Sequence, residues 1–259
     1  MRILILTIIL IFLLGCGAKN DMNIRNNHAL YQVSTIQALL AGLYDGDKKV
    51  TNLHAHGDFG LGTFDGINGE MIVYEGNVYQ VRSNGKVSIA NENEGVPFAS
   101  VHFFLPEQNN ALDNIATFDA LKTTLNNYKQ CNNYPCAFKI HGSFEYVKTR
   151  SEPKASKPYP PLADYISNNQ TFFNANDING TIIGYKLPPS FATLNVTGYH
   201  FHFLSDDKRF GGHLLEVSLK NAIVELDVLY DFELALLRTK AFDDSDLKTK
   251  EGDLDKVEK

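Results

Sequence analysis

Apolar and polar positions alternate along much of this chain, and the alternation has the two-residue period of strands more often than the helical one. Glu70-Met71-Ile72-Val73-Tyr74 and Asn77-Val78-Tyr79-Gln80-Val81 are two such runs across Glu75-Gly76, the pattern of a hairpin. Pro97 to Leu105, Ala137 to Tyr146, Thr181 to Tyr185 and Ile223 to Leu229 read as further strands, as does Leu194 to Leu204, rich in β-branched and aromatic residues. Helical spacing is confined to two segments. One lies in His28 to Asp45, where Ile36, Leu39, Leu40 and Leu43 share a face and Gly46 marks the end; the other is Ile115 to Leu125. Asn52 to Gly69, dense in Gly, His and Asp, reads as loop and turns, and Ser151 to Pro161, with four prolines, as a loop. These elements predict an α+β fold dominated by mixed or antiparallel sheet, with few helices.

The beginning of the chain changes that picture. Met1-Arg2, the apolar run Ile3 to Leu14 and then Gly15-Cys16 have the order of a secretory signal, and the run is short for a membrane span. Leu13-Leu14-Gly15-Cys16 resembles the lipobox of bacterial lipoproteins, in which the cysteine is lipidated and becomes the new N-terminus. The expected organisation is therefore a lipoprotein-type signal over 1–15, a polar tether over 16–29 and a catalytic domain over 30–259. The protein is expected to be exported and membrane-anchored in a bacterial cell envelope, touching the membrane only through a lipid on Cys16; an ordinary signal or an uncleaved anchor is the competing reading.

Charge narrows the partners. The formal net charge is −6, with no basic stripe, which excludes a nucleic-acid partner. Cys131 and Cys136, five positions apart, read equally as a local disulfide of an exported protein or as two free thiols. A zinc knuckle fits less well, because no second Cys or His pair lies nearby.

The candidate chemistry lies in Tyr199-His200-Phe201-His202-Phe203 and Gly211-Gly212-His213. On a strand, His200 and His202 point one way and Tyr199, Phe201 and Phe203 the other. The polar run Ser205 to Lys208 can turn the chain so that a second strand, His213 to Leu219, brings His213 against the pair. Three neutral imidazoles suit Zn²⁺ and leave positions open for substrate. The competing reading is a chance His-x-His pair on a solvated face.

Several motifs occur in order and with similar spacing to one family. Gly57-Asp58-Phe59-Gly60-Leu61-Gly62-Thr63-Phe64 with Asp65 to Glu70, Tyr146 to Arg150 with Lys157-Pro158-Tyr159-Pro160-Pro161, Gly198 to Phe203 with Gly211 to Leu215, and Leu254 to Glu258 together resemble the α-acetolactate decarboxylases. The resemblance implies decarboxylation of 2-acetolactate to acetoin and CO₂ on zinc, with no organic cofactor, in a fold of two packed sheets and as a homodimer. It implies zinc ligation by His200, His202 and His213, and places Glu70 and Arg150 in the site. It also implies a glutamate from the C-terminal end, mapped onto Glu258 with Glu251 as the neighbouring alternative. Taken alone, Glu70 reads as a surface carboxylate, Arg150 as part of a solvated basic strand end and Glu258 as a tail residue. His54, His56 and His141 fall outside the motif and read as structural or as outer support of the site, while Asp58 and Thr63 shape the glycine loop.

The chemistry agrees with that mapping. Losing CO₂ from a β-keto acid leaves electrons that a Lewis acid on the ketone oxygen stabilises, and the substrate's ketone and hydroxyl can chelate a metal. An arginine suits the departing carboxylate, and a glutamate can protonate the enediolate. Two other functions remain in view: a zinc-dependent hydrolase or lyase on another small substrate, and an inactive, metabolite-binding surface lipoprotein.

Overall fold

The computed structural model describes residues 28–248 and 252–258. The expected signal and its Cys16 lie outside the described residues, as does Glu251. The first strands are β1 (Ala29–Val33), β2 (Lys48–Lys49), β3 (Phe59–Thr63), β4 (Glu70–Tyr74), β5 (Asn77–Val81), β6 (Val87–Ile89), β7 (Gly95–Val96) and β8 (Phe98–His102). They are followed by β9 (Gln108–Ile115), β10 (Cys136–Ser151), β11 (Thr171–Leu187), β12 (Gly198–Ser205), β13 (Gly211–Val228) and β14 (Asp231–Ala235). The helices are short: α1 (Ile36–Leu40), α2 (Val50–Leu53), α3 (Phe118–Leu125), α4 (Leu162–Asn169), α5 (Lys240–Asp244) and α6 (Asp253–Glu258).

Seven strands form a mixed sheet in the order β14-β1-β8-β3-β4-β5-β6, with only β1 and β14 parallel. The second sheet, β10-β11-β12-β13-β9, is antiparallel, and β10 also pairs with β13, so β10, β11, β12 and β13 are hydrogen-bonded in a ring. The fold is α+β, two packed sheets with few helices, as the pattern implies.

Apolar burial explains the arrangement. Phe138, Phe144, Phe201, Phe203, Leu214 and Val217 fill the core of the second sheet. Leu30, Phe59, Leu61 and Ile72 of the first sheet meet Ile183, Tyr185 and Leu204 of the second, which seals one sheet to the other. A third cluster joins α1, α4 and α6: Ile36 and Leu39, Leu162 and Ile166, and Val257. Cys131 and Cys136 form a disulfide at the head of β10.

Four local expectations are corrected. The segment His28 to Asp45 opens as β1, which begins at Ala29, and only Ile36–Leu40 is helical. The supposed loop Asn52 to Gly69 contains β3, an interior strand between β8 and β4. Thr181 to Tyr185 is part of the longer β11, and the two runs expected around Leu219 and Ile223 are one continuous strand, β13. In each case long-range pairing overrides the local pattern.

Candidate active site and metal centre

The histidine hairpin forms as its alternation requires. Phe201 and Phe203 enter the aromatic core, Phe201 edge-on to Phe138 and Phe203 edge-on to Phe144. His200 and His202 then face the first sheet. The turn is held by Ser205, whose hydroxyl accepts from the amides of Arg209 and Phe210 and donates to Asp207. This returns β13 so that His213 stands directly opposite His202. A ligating atom from each of His200, His202 and His213 lies within 4.8 Å of the other two, and all three residues are buried.

Gly212 sets the approach of β13 to β10. Its φ is +132°, and a Cβ there would sit 2.5 Å from the Arg150 carbonyl oxygen. The absence of a side chain lets the two strands close, which places Arg150 opposite His213 in the register.

Arg150 is 2% exposed. Its Nη1 donates to Glu152, its Nη2 donates to the Val257 carbonyl at 2.6 Å, and Nη1 lies 3.6 Å from Glu70. Glu70, at the start of β4, has Oε2 3.3 Å from His202 Nε2. Glu258, on α6, has Oε2 3.8 Å from His213 Nε2. The apolar side of α6 explains its position: Val257 is buried among α1 and α4 side chains, and that docking carries Glu258 into the pocket. The remaining pocket wall includes Ile36, Leu39, Thr63, Phe98, Leu162 and Ile166.

All six residues singled out in the sequence therefore meet in one buried pocket. Glu152 was missed. It stands two positions after Arg150, the spacing that returns to the same face of an extended chain, and that was the available signal. His54 binds Glu92, His56 stacks on Tyr31 and His141 contacts Thr181, so none joins the cluster. Asp58 accepts the Phe104 amide and Thr63 donates to the Gly69 carbonyl, both shaping backbone.

Burial sets the charge states. It pushes the His202 imidazole down to about 3, against a raising hydrogen bond to Met71, with Arg150 adding to the depression. His200 and His213 are held well below the usual range by burial first, then by the unfavourable effect of a second charge beside His202 for His200 and beside Arg150 for His213. Burial raises Glu70 well above the usual carboxylate range, with Glu152 adding and Arg150 opposing. Burial also pushes Glu258 up to about 7, against the pull of Arg150.

The donor set fits a metal ion. A carbonyl can only accept, so the 2.9 Å contact from His202 Nδ1 to the Met71 carbonyl puts the proton on Nδ1. The Nε2 lone pair then faces the pocket, and that buried atom has no hydrogen-bond partner. Glu70, Glu152 and Glu258 also gather around one guanidinium, so carboxyl oxygens lie beside the imidazole nitrogens. His200, His202 and His213 could hold that ion. A pocket of neutral imidazoles, one guanidinium and flanking carboxylates on this two-sheet scaffold defines an enzyme site for a small charged substrate.

The comparisons with known proteins agree. The family model described as Alpha-acetolactate decarboxylase matches residues 30–249. The chain is 38% identical over 240 residues to an alpha-acetolactate decarboxylase of Methanosarcina mazei, covering 92% of this chain and 83% of the relative. It is 37% identical to that of Brevibacillus brevis, covering 85% of this chain and 77% of the relative. The crystal structure of alpha-acetolactate decarboxylase from Bacillus subtilis superposes with a TM-score of 0.86 at 32% identity, covering 89% of this chain and 99% of that one. The chain belongs to the alpha-acetolactate decarboxylase family and is an enzyme, a decarboxylase.

Proposed function

We propose that the protein converts 2-acetolactate to acetoin and CO₂, and that His200, His202 and His213 hold a zinc ion that the reaction requires. The observation that carries this reading is the buried, unpartnered Nε2 of His202 beside two other neutral imidazoles and three carboxylates. A divalent ion bound there supplies a Lewis acid for the substrate's ketone oxygen.

The side chains divide the remaining work. Arg150 receives the substrate carboxylate, because its guanidinium is fixed by Glu152 and by the Val257 carbonyl and a planar fork matches a carboxylate. The apolar wall from Ile36, Leu39 and Leu162 excludes water from the carbon that loses CO₂. Proton delivery to that carbon falls to a glutamate, since a buried carboxyl can hold a proton near neutral pH. We assign it to Glu258, the carboxylate farther from the imidazole nitrogens, and give Glu70 the task of orienting the metal centre. The test is acetoin production from racemic acetolactate with and without a zinc chelator. Activity that persists after the metal is stripped would refute the zinc requirement.

The setting belongs to the same reading. Export with a lipid anchor on Cys16 rests on the apolar run before Leu13-Leu14-Gly15-Cys16. Among the described residues no helix is long and apolar enough to cross a membrane. A homodimer is the family expectation, and exposed apolar side chains such as Phe172, Ile223 and Leu236 offer surface for a second copy. Mass spectrometry of the envelope fraction and light scattering of the purified protein test these two points.

A further inference from the structure

A second group of metal-binding side chains is assembled where the start of β1 meets the end of β13. His28, Glu107 and Asp227 each present a ligating atom within 4.8 Å of the others. None of them lines the histidine pocket. His28 Nδ1 lies 3.0 Å from Asp227 Oδ1 and 3.9 Å from Glu107 Oε1. Donors around a tetrahedral ion with bonds of about 2.0–2.1 Å stand roughly 3.3 Å apart, between these two separations.

The surroundings of Asp227 point the same way. The residue is wholly buried. Its Oδ2 accepts the Leu105 amide at 2.7 Å and lies 3.4 Å from His102 Nε2. His102 is also wholly buried, with Nδ1 3.0 Å from the Tyr185 hydroxyl, and its Nε2 makes no hydrogen bond. One carboxylate oxygen is thus anchored from behind while the other is turned toward His28 and Glu107, the way outer partners orient a metal-binding carboxylate. The Tyr230 hydroxyl steadies Glu107, and the Tyr230 amide donates to the His28 carbonyl. Among the described residues no lysine or arginine lies within ion-pair distance of Asp227 or Glu107. Asp227 Oδ1 shares a hydrogen bond with His28 Nδ1, and a divalent ion would take the place of that proton between the same two ligands.

We propose that His28, Glu107 and Asp227 bind a divalent transition ion of the kind that takes imidazole and carboxylate ligands, and that this ion clips the start of β1 to the end of β13. The Leu105 amide holds Asp227 in place from behind. The site is structural and stands apart from the decarboxylation chemistry.

The test counts metal. Tag-free protein is equilibrated with Zn²⁺, passed through gel filtration and analysed by inductively coupled plasma mass spectrometry, alongside His28→Gln and Glu107→Gln. Both side chains are partly exposed, at 30% and 34%, so the sheets do not depend on them. Each variant is expected to hold one equivalent of zinc fewer than the wild type while producing acetoin at the wild-type rate. His202→Ala is expected to lose an equivalent independently, so failure at either site is read separately. As a second measurement, zinc should raise the melting temperature of His202→Ala but not of the His28→Gln/His202→Ala double variant. An unchanged zinc count in both glutamine variants, or an equal melting shift with and without His28, overturns the proposal.

Discussion

His202 Nδ1 donates to the backbone carbonyl of Met71 at 2.9 Å, and this bond joins the second sheet to the first at the metal centre. Met71 follows Glu70 in β4, and Glu70 lies 3.3 Å from the other nitrogen of the same ring. One strand of the first sheet therefore both orients the imidazole and supplies a carboxylate beside it.

Replacing His202 by alanine should remove a ligand and the hydrogen bond that ties the ring to the Met71 carbonyl. Losing that bond alone costs about 0.5–1.5 kcal/mol. We expect loss of one zinc equivalent, loss of acetoin formation and a lower denaturant midpoint. His202→Ala with wild-type zinc content and rate would end the assignment.

Deleting Lys256 to Lys259 tests the contribution of α6. It removes Glu258, the Val257 carbonyl that accepts from Arg150 and the buried Val257 side chain. The lost apolar burial costs about 1.5–3 kcal/mol, and losing a positioned proton donor should slow the reaction by roughly 10²–10⁴-fold. Glu258→Gln keeps the Val257 contacts and should show the rate loss without the stability loss. A truncated protein with full activity would mark Glu258 as a bystander.

Glu152→Gln keeps an acceptor for Arg150 but removes a negative charge beside Glu70. That charge is one of the causes holding the Glu70 carboxyl high, so the Glu70 titration should move to lower pH. Carbon-13 NMR of the labelled glutamates reads this directly, and an unmoved Glu70 signal would show that it does not feel Glu152.

Tyr159, which does not itself line the pocket, supplies an alkaline test. Burial, followed by its hydrogen bond to Asp45, pushes the phenol up to about 12. The sign follows from linkage: above about pH 10 the unfolded chain releases this proton while the native state retains it. The stability Tyr159 contributes is therefore whole below about pH 10 and is lost as pH rises through about 12. Tyr159→Phe should lose less stability over that interval, seen as a smaller drop in urea midpoint; an equal drop would count against the Tyr159–Asp45 bond.

The site was more legible in the sequence than the strands that frame it. The alternation around Phe201 and Phe203 sorts the histidines onto one face, because two phenylalanines need burial and a strand offers two sides. By contrast, β3 is written in residues that read as loop. Its Gly60 has φ +156°, and a Cβ there would lie 2.1 Å from the Ser100 carbonyl oxygen, so the glycine serves a close approach to β8 rather than a turn. Likewise, β1 is a strand because it pairs with β8 and β14, distant partners that no local window contains. Glu152 escaped notice because its neighbours read as a proline-rich loop, although its partner lies only two positions away.

The pairing of β10 with β13 has a consequence for solubility. A chain with so many strands exposes unpaired backbone wherever a sheet ends, and each open edge can template another chain. Closing four strands into a ring leaves β9 as the outer strand of that sheet. Its sequence, Gln-Asn-Asn-Ala-Leu-Asp-Asn-Ile, is polar and largely exposed, which makes it a poor surface for recruiting a foreign strand. The closure that holds Arg150 beside His213 thus also shields the backbone of β10 and β13 from edge-to-edge pairing with another chain.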